Sequence, residues 1–259
     1  MQALSAYQVA ALRILSAGVV LVPFATKAFT QIPKEKLGIV ILSGLLGSFF
    51  PAFLFCIAET QLSSALTGML NSLTPLCAVL IGVFFFQLKP KPQKIIGIVV
   101  GLGGLYFLVA PNGKLDVGNI FYVSLVLLAT IFYAVNVNIV SKYMQGIASI
   151  NIAAMAFVFL IIPCVIILAV TGYFAQPFSS IKVLGSTAAA CVLGMVGTAF
   201  ASVLFYRLVK RAGALFAAMV TYGIPFIAVA WGYYYGETIS IFQVGCLGVI
   251  LCGVYISNK

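Results

Sequence analysis

Histidine is absent from this 259-residue chain, and only four carboxylates are spread along it. Ser-His-Asp and Cys-His relays and histidine-bearing zinc sites cannot be assembled from such a set. Isolated carboxylates leave little for paired acid–base work. The six cysteines, Cys56, Cys77, Cys164, Cys191, Cys246 and Cys252, all lie inside apolar runs without CxxC spacing. They read as small hydrophobes rather than disulfides or metal ligands. No cofactor, metal or enzymatic activity is expected. What remains is a set of neutral polar side chains in apolar surroundings, and one cation. Asn71 and Ser72 stand just before Pro75, and Thr221 and Tyr222 stand at the same spacing before Pro225. Thr130, Tyr133 and Asn136 follow each other at i, i+3 and i+6, with Asn138 one step off, and Arg13 interrupts an apolar run near the start. Groups of this kind hold and orient a small molecule; they do not break its bonds.

The elements that carry them are membrane helices. The chain is 63% apolar and 7% charged, against about 45–50% and about 25% for soluble domains. Its mean hydropathy is +1.21, and too little polar side chain exists to cover a soluble core. Soluble enzymes, nucleic-acid binders and disordered chains are excluded. Breaks at proline, glycine and charge clusters leave nine apolar runs, roughly 7–28, 38–58, 64–87, 94–110, 118–141, 150–172, 182–206, 213–236 and 239–257. Most are near the ~20 residues a spanning helix needs. A β-barrel would alternate apolar and polar positions, and these runs do not. The fold class is therefore an all-α integral membrane protein with about nine transmembrane helices. Arg13 inside the first run, with no basic segment before it, argues against a cleaved signal peptide.

The net charge of +10 reports topology rather than a nucleic-acid partner. Eleven cations (Lys27, Lys34, Lys36, Lys89, Lys91, Lys94, Lys142, Arg207, Lys210, Arg211 and Lys259) fall on one side of the membrane, and only Lys114 and Lys182 fall on the other. The positive-inside rule makes the richer side cytoplasmic, so the C-terminus is expected inside. Trp231, Tyr233, Tyr234 and Tyr235 then form an aromatic belt at the outer end of the eighth span.

The chain also repeats itself. Segment 47–109 aligns without gaps on 197–259 at an offset of 150, with Gly47/Gly197, Met69/Met219, Pro75/Pro225, Gly82/Gly232, Gln93/Gln243 and Gly103/Gly253 among the identities. Upstream the offset becomes 143, pairing Ala10-Ala11 with Ala153-Ala154. The unit has five helices, so two copies insert with opposite topology. Inverted repeats of this kind build secondary transporters, with the substrate site near the midplane. The expected division is 1–111 for a first repeat lacking its first helix, and 117–259 for a second, complete one.

The stretch "SALTGMLNSLTPLCAVLIGVFFFQ" and its repeat "GALFAAMVTYGIPFIAVAWGYYYGE" resemble the hallmark helix of EamA-type carriers in the drug/metabolite transporter superfamily. "AALRILSAG", with Arg13, looks like that family's second helix, and "GNIFYVSLVLLATIFYAVNVNIVSKY" is similar to the helix that opens its second repeat. The resemblance implies ten helices, of which the first is absent here, and both termini cytoplasmic. It implies a permease of the inner or plasma membrane that moves a small organic metabolite, amino-acid or drug-like, with efflux favoured over uptake. Gln87 departs from the pattern, standing where the first repeat usually has Glu; Glu237 keeps it in the second.

The site residues follow from the prolines. A mid-span proline bends its helix and frees the carbonyl four residues back, here those of Asn71 and Thr221. Asn71, Ser72, Thr221 and Tyr222 either flank a substrate cavity or repair the kinks and bond neighbouring helices. Tyr133 and Asn136 either line the same cavity or pack against the bundle. Pro75 and Pro225 are the bending points of the gating helices. Arg13 either snorkels to the outer surface or acts as a gate or anion contact. The glycines of the fourth and ninth spans (Gly97, Gly101, Gly104; Gly245, Gly248, Gly253) form a packing face within the fold or between the protomers of a homodimer. The partners are a small-molecule substrate and the lipid bilayer. The alternative function is a non-transporting membrane scaffold or an inactive truncated carrier.

Overall fold

Apolar runs of this length satisfy their backbone in lipid only as helices or closed barrels, and here they are helices. A computed structural model describes residues 3–87, 92–109 and 117–258. Lys89, Lys91, Lys114 and Lys259, and the boundary expected between the repeats at 111–117, lie outside the described residues. Twelve α-helices follow in order: α1 Ala6–Gln31, α2 Lys34–Gly44, α3 Phe50–Ala58, α4 Ser64–Asn71, α5 Thr74–Phe86, α6 Pro92–Val109, α7 Val117–Tyr143, α8 Ser149–Val170, α9 Ile181–Val192, α10 Ala201–Met219, α11 Gly223–Tyr234 and α12 Ile241–Asn258. Several join end to end. Among the described residues, seven resulting helices are long and apolar enough to cross a membrane, and Ile96–Leu108 and Ile241–Ile256 are shorter apolar helices. Together they match the nine expected runs. The long helix through α10 breaks at Gly213, whose φ of 86° and ψ of 165° separate the seventh run from the eighth.

The helices gather into two units, each drawing on both halves of the chain: 1–60 with 139–211, and 61–138 with 212–259. The reason is visible in the packing, where a helix meets its own repeat mate. In the first unit α1 crosses α8. A Cβ on Gly18 would lie 2.7 Å from Cγ1 of Ile161, the residue 143 positions on. The same offset pairs Gln8 with Asn151. Gln8 donates to the Thr171 carbonyl (2.9 Å) at the far end of α8, and Asn151 donates to Oε1 of Gln31 (2.7 Å) at the far end of α1. A capping box of Ser5 and Gln8 starts α1.

Both copies in this unit contain a π-helical turn at the same place, Leu45–Phe49 and Leu193–Phe200. The Phe50 N–H reaches back five residues to the Leu45 carbonyl, and that of Ala201 reaches Val196. Pro51 explains the first: its ring crowds the carbonyl four residues back, and a wider turn relieves the clash. Ala201 stands at the mate position, so proline does not explain the second. The shared residues are Gly47/Gly197 and a buried hydroxyl, Ser48 or Thr198.

In the second unit α6 lies along its mate α12. A Cβ on Gly253 would stand 2.4 Å from the Gly101 nitrogen and 2.6 Å from the Gly97 carbonyl oxygen. These glycines, with Gly104 against Ile250, therefore pack within the fold, whereas Gly245 and Gly248 meet nothing within 4 Å. The α4–α5 helix crosses its mate α11 at Gly68, where a Cβ would fall 2.3 Å from that of Ala228. Asn138 of α7 donates to the Ala78 carbonyl of α5 at 3.0 Å. Trp231, Tyr233, Tyr234 and Tyr235 are exposed at the end of α11, with Trp231 and Tyr235 ring centroids 5.4 Å apart.

Candidate functional site

Eight of the nine residues singled out in the sequence fall in the second unit, around two broken helices. The first break is sharper than a bend. α4 ends at Asn71 and α5 begins at Thr74, with Pro75 in its first turn, where a missing N–H costs nothing. Between them the N–H groups of Ser72 and Leu73 bond three residues back, to Met69 and Leu70. The Asn71 carbonyl that Pro75 leaves without an N–H accepts the Thr74 hydroxyl at 2.7 Å, and Thr74 Oγ1 is also 3.1 Å from Oδ1 of Asn71. Thr74 was not singled out in the sequence, although a hydroxyl three residues after the freed carbonyl is the signal. The Ser72 hydroxyl turns back to the Met69 carbonyl. What Asn71 keeps is its side-chain NH2 group, which donates to no other described residue.

The second break is built differently. Val220–Tyr222 form a 3-10 turn before α11, and Pro225 is buried at its start. The Thr221 hydroxyl donates to the Ala218 carbonyl at 2.6 Å. Ile224 occupies the place of Thr74, so the second copy has no hydroxyl to do the same repair. The side chain of Tyr222 lies outside the described residues. Thr67, one turn before Asn71, is a further hydroxyl that sequence reading passed over. It is 2% exposed, and its oxygen has no hydrogen-bond partner among the described residues.

On α7, Asn136 is buried and Tyr133 half-buried, and both are engaged with neighbours. Thr130 donates to the Leu127 carbonyl and lies 3.8 Å from the Cys77 sulfur, so α7 holds α5 through Thr130 and Asn138. A cleft of about 310 Å³ between α6 and α7 is walled by Leu102, Tyr106, Val123 and Leu127 among others. It contains none of the predicted residues.

Glu237 closes one end of this unit. Both carboxylate oxygens accept backbone N–H groups from the first turn of α4: Ser64 at 2.9 Å and Ala65 at 3.0 Å. Charge-assisted bonds at a helix N-terminus are among the stronger polar contacts. Gly232 makes room, since a Cβ there would be 2.4 Å from Glu237 Oε2.

Arg13 is the ninth residue, and it lies in the first unit on α1. Its Nε donates to Oγ1 of Thr198 at 2.7 Å. The guanidinium is thus tied to the π-helical turn of the second copy.

Long apolar helices, paired with their sequence mates and broken by proline at polar residues, define a multi-pass membrane protein of the inverted-repeat kind. The family model of the EamA-like transporter family matches residues 1–110 and 120–259, and the chain belongs to that family. It is therefore a membrane protein of a small-molecule transporter family. A solved structure titled "Crystal structure of protein" is 17% identical, with a TM-score of 0.67 over 99% of this chain and 88% of that one; it has the same fold. No functionally curated protein matches the sequence.

Proposed function

We propose that the protein is a secondary transporter that moves a small organic metabolite by alternating access, and that Asn71, Ser72, Thr221, Tyr222, Tyr133 and Asn136 contact the substrate. The observation that carries this is the crossing of two repeat-related helices, α4–α5 and α11, each interrupted at a proline with a polar residue at the interruption. Unwound backbone within a bundle suits substrate coordination in repeat-built carriers. Pro75 and Pro225 make each helix two segments whose angle can change, which alternating access requires. The distribution of cations supports a cell membrane with the C-terminus in the cytoplasm, and export is the direction the family resemblance favours. A homodimer is left to lipid-facing surfaces, because the glycines Gly97, Gly101, Gly104 and Gly253 are occupied within the fold.

The test is uptake of radiolabelled metabolite pools into proteoliposomes, followed by the same assay on Asn71→Ala and Thr221→Ala. Each should weaken transport of the identified substrate about two- to tenfold, the loss of one neutral hydrogen bond, with folding intact. Unchanged transport in both variants would return these residues to kink repair.

A further inference from the structure

The first unit contains a charge that its own symmetry does not call for. Gly44 and Gly194 are repeat mates at the offset of 150, and each backs onto a carbonyl of the crossing helix. A Cβ on Gly44 would be 2.9 Å from the Ala156 oxygen, and one on Gly194 would be 2.2 Å from the Arg13 oxygen. Arg13 and Ala156 are in turn mates at the offset of 143. The two positions are therefore equivalent in three dimensions as well as in sequence. At one of them a fully buried alanine completes the packing. At the other stands arginine, so packing alone does not explain the guanidinium.

A cation within a spanning helix is costly unless something compensates it. Nε is satisfied by Thr198 Oγ1, whose mate Ser48 faces no such cation. Among the described residues no carboxylate pairs with Arg13, and its two Nη groups donate to none of them. Arg13 is half-buried. The result is a planar fork, oriented from behind by a hydroxyl, with its outer donors unspent. That geometry matches a carboxylate or phosphate bidentately.

We infer that Arg13 is the centre of an anion-binding site within the first unit, whose ligand class is small organic acids or phosphate monoesters. The site rests on the first unit alone and stands apart from the transporter reading above.

The experiment measures binding to the purified full chain in detergent, without a membrane gradient. Four probes form two pairs that differ in charge: lactate and lactamide, and glycerol 3-phosphate and glycerol. Titration calorimetry should show at least one anion bound about tenfold or more tightly than its neutral twin, as charge-assisted bonds require. The lactate and phosphate arms tell a carboxylate from a phosphate ligand. Arg13→Gln should erase the preference. Thr198→Val, which keeps the charge but releases Nε, should reduce it several-fold. As a readout that needs no variant at position 13, the chain has only three arginines. Arg207→Lys and Arg211→Lys identify the Arg13 side-chain signal in 15N spectra, and the anion but not its twin should shift it. Equal binding of twins with no shift of that signal, or a preference that survives Arg13→Gln, overturns the inference. Anion binding without proteoliposome transport sustains the site and sinks the transporter reading.

Discussion

Removing the charge of Glu237 should loosen the second unit by a calculable amount. Glu237→Gln keeps the shape of the side chain and one acceptor oxygen. The other oxygen becomes an NH2 group facing the N–H of Ser64 or Ala65, 2.9 or 3.0 Å from where an acceptor stood. One charge-assisted bond is lost and the other becomes neutral. Bonds to charged groups contribute about 1.5–3 kcal/mol each, and neutral ones about 0.5–1.5. The difference is about 2.5–4.5 kcal/mol, which solvent screening of a half-buried side chain reduces to about 2–3 kcal/mol. For a chain of this size, 1 kcal/mol is worth roughly 2–4 °C, so Tm in detergent should fall by about 4–12 °C. Gly232→Ala attacks the same contact from behind, since its Cβ would be 2.4 Å from Oε2. The double variant should therefore cost clearly less than the two single changes added together. A Tm within 1 °C of wild type for Glu237→Gln, or strict additivity with Gly232→Ala, would refute the reasoning.

Three other substitutions have definite outcomes. Gly253→Ala drives a methyl into the backbone of Gly97 and Gly101 and should lower Tm by several degrees or abolish expression. Gly248→Ala, with open space around it, should leave both unchanged; similar behaviour of the pair in thermal melts would contradict the packing described. Asn138→Ala removes the bond to the Ala78 carbonyl and should cost about 0.6 kcal/mol, the average for side-chain bonds between membrane helices, and at most about 1.7, read as the midpoint of SDS unfolding. Thr74→Val strips the Asn71 carbonyl of its hydroxyl partner and should destabilise by about 1 kcal/mol, whereas Ile224→Val, at the equivalent place, should have only the small effect of a lost methylene.

Helix number and ends were readable because lipid demands long apolar runs and punishes charges within them; Gly213 and the Lys34 region fall where composition alone places the breaks. The repeat was readable at Pro75/Pro225, because bends tolerate few residue types; of the matched Gly103 and Gly253, only Gly253 meets another backbone. The partners of polar side chains were not readable. Nothing in the spacing says that Thr74 turns to Asn71, that Arg13 meets Thr198 across 185 positions, or that Glu237 caps α4, because these bonds depend on how helices cross. The π-helical turns also escaped notice. One residue of extra winding leaves an apolar run apolar, so periodicity passes over it. The mixed composition of the two units was hidden for a related reason. Sequence division follows the order of insertion, whereas packing brings each helix to its mate.

The wide turns at 45–49 and 193–200 bear on where the helices beyond them point. A π-helical turn amounts to one residue inserted into an α-helix, which rotates everything beyond it by about a third of a turn. Such an insertion survives only where the rotated face still finds its neighbours. It stands at the same aligned position in both copies, beside Gly47 and Gly197, yet only the first copy has a proline to provoke it. Proline is therefore not what the two wide turns have in common; the glycine and the buried hydroxyl are. Whatever lies beyond either wide turn is aimed about a third of a turn away from where an unbroken α-helix would carry it, so the two copies keep equivalent faces only because both are rewound alike.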